Sequence, residues 1–184
     1  VQVLQPEFDV PDRVLELARC VRALVFDVDG VLTDGSLFIG DDGQEYKAFH
    51  SRDGHGMKML MSQGVEIAII TGRTSRVVDH RAGDLGIQRV YQGVGDKLPV
   101  FRDLLESIGL EPAQAAYAGD DVVDLPIMFS CGLSIAVADA HPLVREHAHW
   151  VTPSRGGRGA AREICELLLY AQQRLDAAVK PYLG

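Results

Sequence analysis

Long apolar runs are missing from the sequence: none approaches the roughly 18 consecutive apolar residues that a membrane-spanning helix needs. The acidic start from Val1 to Asp12 lacks the charged segment followed by an apolar one that marks an export signal. A basic excess is missing too. Lys plus Arg number 18 against 26 Asp plus Glu, a net charge of −8, which argues against a nucleic-acid backbone or an anionic membrane as the main partner and leaves only local basic spots to bind an anion. Cysteine is scarce. Cys20, Cys131 and Cys165 show no Cys-x-x-Cys spacing, and each sits in an apolar context where a small buried thiol is the common fate. These absences predict a soluble, cytoplasmic protein with neither nucleic acid nor membrane as partner. Repeats and low-complexity segments are lacking as well. What is present is length and apolar content: 184 residues, 47% hydrophobic, are enough for one domain over 1–184 with a proper core and too few for two comfortable ones.

Against that background one stretch stands out. Val25-Phe26-Asp27-Val28-Asp29-Gly30-Val31-Leu32-Thr33 is a short apolar run ending in two carboxylates one residue apart, a poor way to build a core. Leu24 to Phe26 read as a buried strand, with Gly30 allowing a sharp turn at its carboxyl end. In an open α/β sheet that edge is where ligands bind. Two carboxylates there repel each other unless a cation or a shared proton holds them, and a hard metal ion answers that need. The plain alternative is a strand followed by an acidic turn.

The rest of the chain alternates. Pro11-Asp12 opens a short amphipathic helix, and Leu37-Phe38-Ile39, Gly40 to Gly43 and Gln44 to Phe49 read as a β-hairpin inserted after the first strand. A helix is expected from Gly54 to Gln63, a buried strand from Val65 to Ile70, a helix from about Ser75 to Leu85, a strand at Arg89 to Tyr91 and a helix from about Lys97 to Ile108. Further strands are expected at Ala115 to Ala118, Leu133 to Val137 and His149 to Thr152. A helix near His141-Pro142 precedes the last of these, and a long helix runs from Ala160 to about Val179. Repeated βα alternation predicts a doubly wound, Rossmann-like parallel sheet with helices on both faces.

Four polar signals fall at equivalent places: Asp27 and Asp29 after the first strand, Thr71 after the second parallel strand, Lys97 before a helix, and Gly119-Asp120-Asp121-Val122-Val123-Asp124 after the Ala115 strand. Right-handed crossovers bring strand ends to one edge, so these residues converge. In this order they resemble the haloacid dehalogenase superfamily of aspartate-nucleophile phosphatases, over nearly the whole chain. Phosphoryl transfer needs a nucleophile, neutralisation of the equatorial oxygens and a proton for the leaving alkoxide. On the resemblance, Asp27 attacks phosphorus, Asp29 protonates the leaving alcohol and then takes a proton from water, and Lys97 and Thr71 hold the phosphate. Mg2+ would be bound by Asp27, the backbone carbonyl of Asp29 and Asp120, since it favours octahedral oxygen ligation. Asp121 and Asp124 would orient Asp120 or pair with Lys97. Taken singly, Thr71, Asp121 and Asp124 could instead be helix caps and Lys97 a surface lysine.

The intervals from Asp29 to Thr71 and from Thr71 to Lys97 are used up by expected strands and helices, which leaves no room for the cap domain common in that superfamily. A capless site admits a large substrate or is closed by neighbouring subunits. The hairpin, Lys47-Ala48-Phe49-His50-Ser51-Arg52-Asp53-Gly54 and Arg155-Gly156-Gly157-Arg158-Gly159 are similar to one capless subfamily, the 3-deoxy-D-manno-octulosonate 8-phosphate phosphatases of lipopolysaccharide precursor synthesis. The likeness implies a homotetramer built on hairpins, a phosphorylated sugar acid as substrate, and substrate contacts at Asp29, His50, Ser51, Arg52, Asp53, Gly54, Lys58, Arg73, Arg81 and Lys97. The arginines and Lys58 suit the second anion of such a substrate, its carboxylate. The carboxyl-terminal residues 181–184 are one candidate for a segment reaching a neighbour. A phosphatase of nine-carbon sialic-type acid phosphates is the near alternative, although Arg73 after Thr71-Gly72 leans to the eight-carbon substrate. A signalling receiver domain carries its phosphoacceptor after the third strand rather than the first. A non-catalytic assembly module has no reason to keep Asp27, Asp29, Lys97 and Asp120 together.

Overall fold

In the computed structural model, which describes residues 4–183, the first strand lies at the centre of the sheet. Strand β1 (Ala23–Phe26) pairs in parallel with β4 (Glu66–Ile70) on one side and β6 (Ala115–Gly119) on the other, with Phe26 level with Ile69 and Ala118. All four residues of β1 are buried, which explains why they read as a continuous apolar run rather than an alternating one. Strands β5 (Arg89–Tyr91), β7 (Leu133–Ala136) and β8 (Trp150–Val151) complete a six-stranded sheet of order β5-β4-β1-β6-β7-β8, parallel at every pairing. The order reverses between β1 and β6, the topological switch point at which ligands bind in doubly wound sheets.

Helices α1 (Asp12–Cys20), α2 (Ser51–Ser62), α3 (Arg76–Leu85) and α7 (Ala160–Ala171) pack together, as do α4 (Lys97–Ile108), α5 (Leu125–Met128) and α6 (Pro142–His147). Right-handed crossovers put these two groups on opposite faces of the sheet. Leu24, Phe26, Ile67, Ile70, Phe101, Tyr117, Leu133 and Ile135 form the fully buried middle. No cap domain is inserted. Among the described residues no helix is long and apolar enough to cross a membrane.

Three expectations need correction. The long carboxyl-terminal helix is two helices, α7 and α8 (Leu175–Val179), broken at Gln173, which takes φ 58°. The break is tertiary in origin: the Gln172 amide donates to the carbonyls of Ala18 and Val21 at 3.1 and 2.9 Å, and Arg174 N–H turns back to Leu169 at 2.7 Å. Helix α2 starts at Ser51, three residues earlier than expected, and carries Gly54 in its first turn despite the poor helix propensity of glycine. A Cβ at Gly54 would lie 2.2 Å from Nη2 of Arg81 and 2.9 Å from Cδ2 of Leu85, so a larger residue would push these α3 side chains aside. The hairpin ladder is shorter than expected: β2 (Phe38–Ile39) and β3 (Glu45–Tyr46) pair over two residues each. Gly184 of the carboxyl-terminal stretch lies outside the described residues.

Candidate active site

Asp27 follows β1 directly, its N–H donating to the Ala118 carbonyl at 3.1 Å, and Asp120 follows β6 directly. The sheet register therefore sets the two carboxylates side by side. With Asp124 they place one oxygen each within 4.8 Å of one another. Asp27 and Asp124 are buried and Asp120 is partly so. Lys97, the first residue of α4, is also buried and lies 3.1 Å from Oδ1 of Asp27. That contact is an ion pair, and this buried oxygen has no further partner among the described residues. Lys97 Nζ instead donates to Oδ1 of Asp124 at 2.7 Å, and the Tyr117 hydroxyl donates to the same oxygen at 2.6 Å. Oδ2 of Asp124 accepts from the N–H groups of Asp120 and Asp121 at 2.9 and 3.2 Å.

Asp124 is thus saturated from behind and orients both Lys97 and the Asp120 loop. Asp121 does neither; it caps the turn Val122–Asp124, accepting from Val122 N–H at 2.7 Å. Burial, and then repulsion from Asp124, pushes Asp27 up to about 6 despite Lys97. Burial followed by the charges of Asp27 and Asp124 pushes Asp120 up to about 8. Burial opposes the charge of Lys97, but Asp27 and Asp124 outweigh it and hold the ammonium above its ordinary range. One ammonium among three carboxylates leaves an excess of negative charge. That donor set suits a hard divalent cation.

Asp29 and Gly30 form the turn beyond β1. Gly30 takes φ 93°, and a Cβ there would sit 2.1 Å from Oδ2 of Asp120, so only glycine lets the two motif loops touch. The loop before α7 braces this turn from outside, with Gly157 N–H donating to the Val31 carbonyl at 2.8 Å. Thr71 is buried at the end of β4, its N–H donating to Tyr91 and its carbonyl accepting from Val94. It does not cap α3, whose N-cap is Ser75, so the capping alternative for Thr71 falls.

Three residues at this edge escape a motif search. Lys47 forms an ion pair with Asp29 Oδ1 and lies 3.2 Å from Glu45, whose Oε1 also accepts from Arg73 Nη2 at 3.0 Å. Tyr117 is the third. A signal for the first two was available: Glu45 and Lys47 share one face of a strand that turns the apolar Tyr46 to the other.

The remaining candidates form a second group. Asp53 is buried, but its carboxylate accepts from Arg162 N–H at 2.9 Å and Gly159 N–H at 3.4 Å; it caps α7, whose own N-cap is a glycine without a side chain. Its side chain therefore holds the start of α7 against α2. His50 Nδ1 lies 3.8 Å from Asp53, and the His50 carbonyl accepts from Arg81 Nη2 at 3.4 Å. The Arg81 guanidinium stands 5.8 Å over the Phe49 ring. Ser51, Arg52 and Lys58 are exposed. Among the described residues no hydrogen bond or ion pair joins this group to Asp27, Asp29 or Lys97.

Comparison with known proteins agrees with this geometry. Residues 86–164 match the haloacid dehalogenase-like hydrolase family. The 3-deoxy-D-manno-octulosonate 8-phosphate phosphatase of Yersinia pestis is 48% identical over 169 residues, covering 92% of this chain and 90% of that protein. The one from Salmonella typhi is 50% identical with the same coverage. The crystal structure of the Moraxella catarrhalis enzyme, in complex with magnesium ion, phosphate ion and KDO molecule, superposes with a TM-score of 0.91 at 38% identity, covering 93% of this chain and 98% of that one. Such identity across nine-tenths of both partners, on one shared architecture, means that the chain belongs to the 3-deoxy-D-manno-octulosonate 8-phosphate phosphatase family of the haloacid dehalogenase-like hydrolases.

Proposed function

We infer that the chain is a magnesium-dependent phosphatase, a single catalytic domain that hydrolyses 3-deoxy-D-manno-octulosonate 8-phosphate to the free sugar acid and phosphate, in lipopolysaccharide precursor synthesis in the cytoplasm. The observation that carries the chemistry is the cluster of Asp27 and Asp120 beside Lys97 at the switch point of the sheet, with the buried Oδ1 of Asp27 in an ion pair to Lys97 and without a hydrogen bond. Family membership carries the substrate. Asp27, the backbone carbonyl of Asp29 and Asp120 would hold magnesium, which when bound supplies the positive charge that lets a carboxylate meet a phosphate dianion. Asp124 stands behind this set, its oxygens already taken.

An Asp27 oxygen attacks phosphorus and forms an aspartyl phosphate. Asp29 protonates the departing alkoxide, then removes a proton from the water that attacks the intermediate. Lys97 and the Thr71 hydroxyl neutralise and orient the equatorial oxygens. Arg73, half-exposed and held by Glu45 on one side, keeps donors free for the substrate carboxylate. The group around Arg52, Lys58 and Arg81 serves substrate across a subunit boundary in a homotetramer assembled through the hairpin. Supporting that arrangement, Phe38, Ile39 and Tyr46 are more than half exposed and Leu37 nearly so, at a cost on the order of 1.5 to 3 kcal/mol for each such side chain left in water.

The test is turnover of the eight-carbon and nine-carbon keto acid phosphates side by side with magnesium. We expect kcat/KM for the eight-carbon ester to be higher by roughly a hundredfold or more, a size that discrimination through hydrogen-bonded groups reaches. Preference for the nine-carbon ester would overturn the substrate assignment while leaving the chemistry standing.

A further inference from the structure

The ammonium of Lys47 is almost wholly buried, with its side chain 1% exposed, although the hairpin that carries it lies on the surface. A buried ammonium costs several kcal/mol unless it is paired. Two carboxylates meet that need: Oδ1 of Asp29, in direct contact, and Oε1 of Glu45 at 3.2 Å. Glu45 is held in turn by Arg73 at 3.0 Å, so an alternating row of charges runs from the β1 turn through the hairpin to the β4 turn. Asp29 has no other side-chain partner among the described residues. The orientation of its carboxylate therefore depends on Lys47.

We propose that Lys47 is a positioning residue that fixes the orientation of the Asp29 carboxylate through Oδ1 and so keeps Oδ2 as the oxygen that does its acid and base work. An ammonium only donates, so it takes up a lone pair of Oδ1 and holds that oxygen toward the hairpin, while Oδ2 has no partner among the described residues. This rests on the acid-base role given to Asp29 above. In the first half-reaction the bond from an Asp27 oxygen to phosphorus forms as the ester P–O bond breaks. The electron pair of that bond stays on the ester oxygen, and the Oδ2 proton of Asp29 joins it, releasing a neutral alcohol. In the second, water oxygen bonds to phosphorus, the P–O bond to Asp27 breaks with its electron pair returning to the Asp27 carboxylate, and Oδ2 of Asp29 takes the water proton. Both halves use the same oxygen in the same place, which a carboxylate free to rotate would not provide. Because Lys47 belongs to the hairpin, any displacement of the hairpin also displaces the acid.

The leaving group provides the test. An alkyl ester such as the eight-carbon sugar acid phosphate needs a proton on its alkoxide, whereas p-nitrophenyl phosphate releases a stable phenolate and needs none. Single-turnover formation of aspartyl phosphate is measured for both esters with the magnesium-loaded full chain, alongside solution mass and thermal unfolding. Lys47→Met is expected to slow the step about tenfold or more for the sugar phosphate and less than about threefold for p-nitrophenyl phosphate, with KM for each within about threefold. Lys47→Arg should restore most of the rate. Should Lys47→Met not fold, Lys47→Gln, which keeps a donor without the charge, takes its place with the same ester contrast expected. Equal losses for the two esters, as a purely structural role would give, or no loss for either, overturns the proposal. Asp29→Asn separates the two ideas: if it shows no ester contrast, the acid-base role of Asp29 falls, and if it shows one while the Lys47 variants do not, only Lys47 falls.

Discussion

Asp27, Lys97 and Asp124, all charged groups, are buried at the carboxyl ends of β1 and β6, while Phe38, Ile39 and Tyr46 of the nearby hairpin face outward. In the first region most of the buried charge is met by partners from the same chain, the Oδ1 of Asp27 being the exception. Asp124 alone receives four hydrogen bonds, and Lys97 faces two carboxylates. In the second, two-residue strands leave apolar side chains that no other described residue covers, and isolated two-stranded ribbons are marginal in water. The contrast teaches that the charged centre is held by pairing between distant segments of the chain, whereas the hairpin is tied inward chiefly by Lys47 and Glu45 and leaves its apolar face open.

The sharpest test of the charged centre is Asp27→Asn. Turnover should fall by about 10⁴-fold or more, the scale of losing a nucleophile. The metal-free variant should be no less stable, because the carboxylate removed is one that burial had pushed up to about 6. Calorimetric unfolding and steady-state assay check both, and substantial residual activity would remove Asp27 as nucleophile. The hairpin side is broken by replacing Phe38 and Ile39 with Ser together. We expect the solution mass to fall below that of the assembled form and turnover to drop roughly ten- to a hundredfold, as the Lys47 and Arg73 contacts lose their support. A fully active monomer from light scattering and assay would erase the contrast between the regions.

The smallest expected effect sharpens the electrostatics of the centre. The Asp120 carboxyl lies near 8 in the metal-free fold against an ordinary 3.8, so the native state holds a proton that the unfolded chain has already lost. These buried acids therefore favour the metal-free fold below about pH 4, and that contribution is lost as pH rises through about 8. Magnesium needs the ionised form, so its apparent affinity should rise with pH from about 6 to about 8, by at most roughly tenfold per unit, with proton release on loading. Titration calorimetry in buffers of different protonation enthalpy measures that release. Affinity flat across this range, with no proton release, would mean that Asp120 is already ionised there in the metal-free fold.

Much of this was legible before any coordinates. Asp27, Asp29, Thr71, Lys97 and Asp120 converge as their places after strands and before a helix required, and α4 spans Lys97–Ile108 as its pattern indicated. Periodicity and turn residues are local properties, and right-handed crossovers convert local order into a shared edge. Pairing between distant segments is not local. Only the tertiary structure decided that Asp53 caps α7 from 106 positions away, that Gln172 anchored on α1 breaks the last helix, and that a hairpin lysine reaches Asp29. The sequence determined which charges exist and at which end of the sheet they gather. Which of them neutralise one another depended on distances of a few ångströms between elements, set by the packing of glycines and side chains across the whole core.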